Sequence, residues 1–188
     1  MRPDAGGTPQ PFDRQATLRN GTPVRIRVVR PDDKDKIVAA FGKLDQASIY
    51  TRFFSFKKEL TADDLRVLSA DDSTGVALVV TAGSGADEIV IAGCRYVVAA
   101  ADGNPTAEVA FTVEEDYQGQ GIAGMLLATL VEIGREHGIL RFQAEVLASN
   151  APMLGVFKRS GLPLTTKREG GVLHLAMDLG AGGKATNA

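Results

Sequence analysis

The sequence has no tryptophan, one cysteine and two histidines. With Cys94 alone, no internal disulfide can form. There is no CxxC pair, HExxH helix or other metal-ligand spacing, so no metal site is expected. A reducing, cytoplasmic setting fits this cysteine usage. No apolar run follows Met1 and no stretch reaches membrane-spanning length, which points away from export and from a membrane partner. A strong excess of charge is also missing. The 21 basic and 23 acidic residues leave a formal net charge of −2, which argues against a nucleic-acid partner. The local basic pairs Lys57-Lys58, Lys158-Arg159 and Lys167-Arg168 read as solvated faces.

What remains suits one ordinary globular domain. The 188 residues, 44% of them hydrophobic, can bury a sizeable core. Residues 1–13, rich in Gly, Pro and polar side chains, read as a flexible arm, and residues 180–188 as a flexible tail. The domain between them covers residues 14–179. It opens with a hairpin around Asn20-Gly21. A helix starting at Pro31-Asp32-Asp33 has the apolar stripe Ile37, Val38, Phe41 and Leu44. A second helical piece is expected over Ser48–Phe54, and a third from the N-cap Thr61. Strands are expected at Val76–Thr81, Ile89–Ala99 and Ala107–Val113. A long helix over Ile122–Glu136 follows, buried through Ile122, Leu126, Leu130 and Ile133 and closed by His137-Gly138. After it come a strand at Arg141–Leu147, a helix capped by Asn150 and ending near Gly161, and a hairpin of Leu164–Glu169 with Val172–Leu179. This order makes an α/β (α+β) sandwich around a mixed sheet.

The segment with the clearest chemistry is Tyr117-Gln118-Gly119-Gln120-Gly121-Ile122-Ala123-Gly124. It joins the strand Ala107–Val113 to the long helix. The first amides of a helix lack internal partners, the helix dipole adds positive potential, and small residues let a phosphate approach closely. A diphosphate is the natural guest. The P-loop alternative fails because no Lys-Ser or Lys-Thr follows the glycines. The dinucleotide fingerprint fails on spacing and on position in the chain.

The pattern Gln118-x-x-Gly121-x-Ala123, with Tyr117-Gln118-Gly119 before it, resembles the acyl-CoA motif of the Gcn5-related N-acetyltransferase (GNAT) superfamily. Glu145-Val146-Leu147, Asn150, Met153-Leu154 and Gly161-Leu162 resemble its next strand–helix unit. Ile26-Arg27, Arg30-Pro31-Asp32-Asp33 and Tyr50-Thr51-Arg52-Phe53-Phe54 look like the bacterial Pat branch of protein lysine acetyltransferases. The resemblance spans Ala16 to Leu179. It implies a single GNAT domain, with a twisted mixed sheet whose central strands, Ala107–Val113 and Arg141–Leu147, splay apart between flanking helices. It implies acetyl-CoA as co-substrate, its pantetheine along Phe111, Thr112 and Val113. The pyrophosphate would lie on Gln118, Gly119, Gln120, Gly121, Ile122, Ala123 and Gly124. Gly124 stands where the family often has a basic residue. Asn150 and Phe157 would complete the cofactor site. The acceptor implied is a protein lysine, on a partner such as an AMP-forming acyl-CoA synthetase, and Tyr50–Lys58 would line its side of the site.

Acylating a lysine requires a base. With an unperturbed pKa of about 10.4, about one ε-amine in 2,500 is neutral at pH 7. Glu108 is the candidate catalytic base. Strand alternation groups it with Ala110 and Thr112 and opposite Val109, Phe111 and Val113. It also sits on the strand where the resembled enzymes hold their catalytic glutamate. Glu145 is its competitor, able to orient a water or the amine. Glu114, Glu115 and Asp116 read as a solvated acidic loop. Many relatives use a tyrosine as general acid where this chain has Phe157, which has no hydroxyl and packs against pantetheine or the core. Asn150 serves equally well as a helix cap. Cys94 reads as buried packing, His137 as a helix-end cap and His174 as a structural histidine. Two other functions compete, acetylation of a small-molecule amine and non-catalytic binding of acyl-CoA.

Overall fold

The computed structural model describes residues 12–45, 75–99 and 105–180. The expected helical pieces at Ser48–Phe54 and from Thr61, and the acceptor segment Tyr50–Lys58, lie outside the described residues. So do residues 1–11 and 181–188.

An eight-stranded sheet organises the chain. Its strands are β1 (Asp13–Thr17), β2 (Pro23–Val28), β3 (Gly75–Ala82), β4 (Ile89–Ala99), β5 (Thr106–Val113), β6 (Arg141–Leu147), β7 (Leu164–Glu169) and β8 (Val172–Asp178). Helix α1 (Lys34–Phe41) follows β2, α2 (Ile122–Glu136) follows β5 and α3 (Ala151–Arg159) follows β6. β1 begins at Asp13, the last residue of the span read as an arm, and the Asp13 carboxylate pairs with Arg25 at 2.6 Å. The spatial order is β1-β2-β3-β4-β5-β6-β8-β7. Every neighbouring pair is antiparallel except β5 with β6.

The sequence explains the layers. β3, the run Gly-Val-Ala-Leu-Val-Val-Thr-Ala, is buried at every position because both faces of the sheet are covered there. On one face α2 delivers Ile122, Leu126, Leu130 and Ile133, all buried, onto Leu78, Tyr96, Ala107, Val109 and Phe142. On the other, α1 lays Ile37 and Ala40 over Val29, Ala77, Val79 and Val90. The expected α1 stripe is thus shifted: Val38 is 45% exposed, and Ala40 packs in its place. Among the described residues, no helix is long and apolar enough to cross a membrane.

The contact between β5 and β6 is brief. Thr106, Ala107 and Glu108 pair with Arg141, Phe142 and Gln143. Beyond that step β5 pairs only with β4, up to Val113, and β6 only with β8, up to Leu147. The two central strands therefore splay apart, and the notch between them faces the glycine turn that leads into α2.

Candidate active site

The notch has a hydrogen-bonding edge. The Glu114 amide donates to the Ile91 carbonyl at 3.0 Å, on the β4 side. Backbone alternation then turns the amides and carbonyls of Val113 and Phe111 toward the notch, along with the carbonyl of Val109, whose amide closes the last pairing step with β6. Consistently, the Val113 carbonyl accepts from Gln118 Nε2 at 3.2 Å across the notch's mouth. The cleft measures about 1300 Å³ and runs from Glu108 along β5, past the glycine turn, to α3. That exceeds a typical small-molecule pocket of roughly 300–1,000 Å³ and suits a long ligand.

The glycine turn is built for close approach. Gly119 and Gly121 have φ of 73° and 91°, and Gly121 is the left-handed N-cap of α2 without any side-chain cap. The first helical bond runs from the Met125 amide to the Gly121 carbonyl. The amides of Ile122, Ala123 and Gly124 are thus left without intrahelical acceptors. Ile122 is buried and anchors the helix end, while a side chain at Gly119 or Gly124 would meet nothing within 4 Å. The turn of the first hairpin braces this loop. Arg19 Nη1 donates to the Gly119 carbonyl at 3.2 Å, the Asn20 amide to Gln120 Oε1 at 3.1 Å and the Arg19 amide to the Gln120 carbonyl at 3.4 Å.

Glu108 lies where β5 and β6 part, exposed at the end of the cleft. Parallel pairing places Gln143 beside it on the same face. The next residue of β6 on that face is Glu145, which is opposite His174 of β8, with Oε1 3.3 Å from His174 Nδ1. His174 Nε2 is 3.6 Å from Glu169 Oε2. The two candidate carboxylates therefore share one open face of the sheet, Glu108 at the fork and Glu145 tied to a histidine.

Residues 45–162 match the acetyltransferase (GNAT) family. The chain belongs to that family, and so to the N-acetyltransferase class of enzymes. Its likeness extends to the Pat type. Acetyltransferase Pat of Mycolicibacterium smegmatis is 33% identical over 144 residues, 77% of this chain and 42% of the relative. The chain thus spans under half the length of that curated relative. The crystal structure of the GNAT domain of S. lividans PAT is 36% identical with a TM-score of 0.78, over 88% of this chain and 96% of that one. The fold also matches yncA of Salmonella typhimurium, solved with its cofactor acetyl-CoA, at 18% identity and a TM-score of 0.68 over 88% and 98% of the two chains.

Within this GNAT domain the remaining expected site residues line the same cleft, and several carry structural duties as well. Asn150 caps α3, its Oδ1 accepting from the Met153 amide at 3.2 Å. Phe157 is 1% exposed and meets Phe111 edge-on at 5.9 Å, so it holds the notch strand from behind. Phe111, Thr112 and Val113 line the notch. Glu114 departs from the solvated acidic loop read in the sequence: Oε2 is buried with no hydrogen-bond partner among the described residues. Burial pushes its carboxyl pKa up, and repulsion from Asp116 and Glu115 pushes the same way. Cys94 is fully enclosed, which drives its thiol well above the ordinary value and fits inert packing. His137 follows α2 and its Nδ1 is 2.6 Å from the Tyr96 hydroxyl. Arg19 was missed by sequence reading. The only local hint was its place beside the Asn20-Gly21 turn, 100 residues from its partner Gly119.

Proposed function

We propose that this protein transfers the acetyl group of acetyl-CoA directly to a protein lysine, with Glu108 as general base. The observation that carries the reading is the parting of β5 and β6 immediately beyond Glu108. It leaves an unpaired strand edge that leads from the carboxylate to the glycine turn. The residues present fit the donor. Backbone groups of Val109, Phe111 and Val113 suit the amides of a pantetheine arm. The exposed helix amides and the two positive-φ glycines suit a diphosphate. The yncA structure, alike in fold, was solved with acetyl-CoA as its cofactor, which supports this reading.

Acetyl-CoA supplies an activated acyl group. In the transfer, the amine nitrogen bonds to the carbonyl carbon, the carbon–sulfur bond breaks and the sulfur leaves as thiolate. The amine's proton passes to Glu108 or to a water held by it. A positioned base contributes roughly 10²–10⁴-fold. With Phe157 in place of a hydroxyl-bearing side chain, the thiolate takes its proton from solvent. The carboxylates of Glu108 and Glu145 suit a cationic acceptor approaching from that side, while Glu169 is paired with Lys167 at 2.7 Å. The likeness to Pat in Arg30–Asp33 and Tyr50–Phe54 supports a protein lysine, such as one on an AMP-forming acyl-CoA synthetase, in the cytoplasm.

The test uses labelled acetyl-CoA with a lysate, comparing the wild-type chain with Glu108→Gln. Label should enter protein lysines, at least a hundredfold more slowly with the variant. Label confined to small amines would sink the lysine acceptor, and an unchanged rate would remove Glu108 as base.

A further inference from the structure

The glycine turn presents amides to an anion but no positive side chain. Its residues from Gln118 to Gly124 are uncharged, and Glu114, Glu115 and Asp116 precede them. A diphosphate there would meet a helix dipole and three nearby acids. The missing cation comes from elsewhere in the chain. Arg19, in the turn between β1 and β2, lines the same cleft. Its guanidinium lies against the turn: Nη1 is 3.2 Å from the Gly119 carbonyl, and Nε would be 3.5 Å from a β-carbon built on Gly121.

The other arginines at the cleft are placed differently. Arg135 donates through Nε to the Leu179 carbonyl, and Arg159 folds back on Gly155. Arg19 is exposed, and among the described residues it makes no ion pair. One bond to Gly119 engages one of the five N–H donors of a guanidinium. The remaining donors are available for a planar, bidentate contact with phosphate oxygens.

We propose that Arg19 is the phosphate-binding cation of the cofactor site, delivered by the first hairpin to a turn that has none of its own. The proposal rests on the acyl-CoA reading above. It makes Arg19 a binding residue for the diphosphate, with the Gly119 carbonyl as the stop that holds the guanidinium over the turn.

Direct binding tests it, by calorimetry on the full chain with CoA and with pantetheine, which lacks the phosphates. Arg19→Gln should weaken CoA roughly tenfold and leave pantetheine unchanged. The deficit should shrink as salt rises, because an exposed charge contact is screened. Gly124→Arg added to Arg19→Gln should recover most of the loss, since position 124 opens to space and faces the same end of α2. If Arg19 only braced the loop, the deficit would be salt-independent and the second arginine would not repair it. That result overturns the proposal, as does equal CoA affinity of wild type and Arg19→Gln. No CoA binding by the folded wild type would overturn the acyl-CoA reading itself, and this inference with it.

Discussion

Glu108 and Gln143 form the last register step through which β5 and β6 pair. One residue later the strands have separate partners. The candidate base thus stands at the apex of the fork whose open edge would take the acyl donor. Amide exchange reads this edge directly. The amides of Phe111 and Val113 should exchange quickly in the free chain and slow at least tenfold with acetyl-CoA, while that of Val109, held in the last step of pairing with β6, should be protected throughout. Those of Ala110 and Thr112, bonded toward β4, should be protected throughout. Equal protection of both sets in the free chain would mean that the notch is closed.

Gly121 and Gly124 make a paired test of the turn. Gly121 has a φ of 91°, a left-handed conformation that costs an L-residue roughly 1–2 kcal/mol. Its new β-carbon would lie in ordinary contact with the Arg19 guanidinium, 3.5 Å from Nε, so the backbone strain carries the effect. Gly121→Ala should lower CoA affinity about tenfold, measured by calorimetry. Gly124→Ala, helical and open to solvent, should leave affinity unchanged and gain up to about 1 kcal/mol of stability.

Phe157 supports the notch rather than the chemistry. Truncation to alanine removes the ring that backs Phe111, and should cost about 3–5 kcal/mol in denaturant unfolding. A loss under about 1 kcal/mol would mean that the site collapses freely and that the packing described is not what fixes β5.

Asp33 sets the acid limit of the fold. Arg27 grips it with both Nη atoms at 2.6 and 2.8 Å, and the Arg30 amide adds a bond at 2.7 Å. Burial alone would raise the carboxyl pKa, but the Arg27 fork and the Arg30 amide outweigh it and hold the group below 3.8. A depressed carboxylate contributes stability above its unfolded pKa and loses it as pH falls through the folded one. The pair should therefore stay intact where an ordinary aspartate begins to protonate, and weaken only in stronger acid. Asp33→Asn should cost about 3 kcal/mol at neutral pH, because the buried Arg27 charge keeps only Glu88, at 3.7 Å, and should flatten melting temperature against pH in the acid range.

Local signals made much of this fold legible. The boundaries of α2 and β6 follow from a 3.6-residue apolar stripe and from strict alternation, and the tight turn before α2 from its closely spaced glycines. Relationships set by topology were not legible. The fork at Glu108 depends on which strands pair, and the approach of Arg19 to Gly119 on a sheet that folds the first hairpin over residues far along the chain. The Val38 error arose because α1 covers only a narrow strip of β3 and β4, which Ile37 and Ala40 already fill. Glu114 looked solvated because a charged triplet usually is, yet its amide still bonds the β4 carbonyl of Ile91 and its Oε2 is buried. The Arg30–Asp33 motif, quoted for its likeness to Pat, proves in part to be architecture. Asp33 anchors Arg27, and that duty would be the same for any acceptor.

The position of β8 has a consequence for biosynthesis. Along Ala144–Leu147, β6 has no neighbour except β8, which is made last and slots between β6 and β7. A nascent chain that has already made β5, the glycine turn and α2 still lacks the far wall of the cleft until residue 178 has emerged. Such a chain presents an open strand edge meanwhile, the kind of surface chaperones cover. Acetyl-CoA competence should therefore appear only once β8 has been made, and a frameshift within β8 should cost binding as surely as one in the turn.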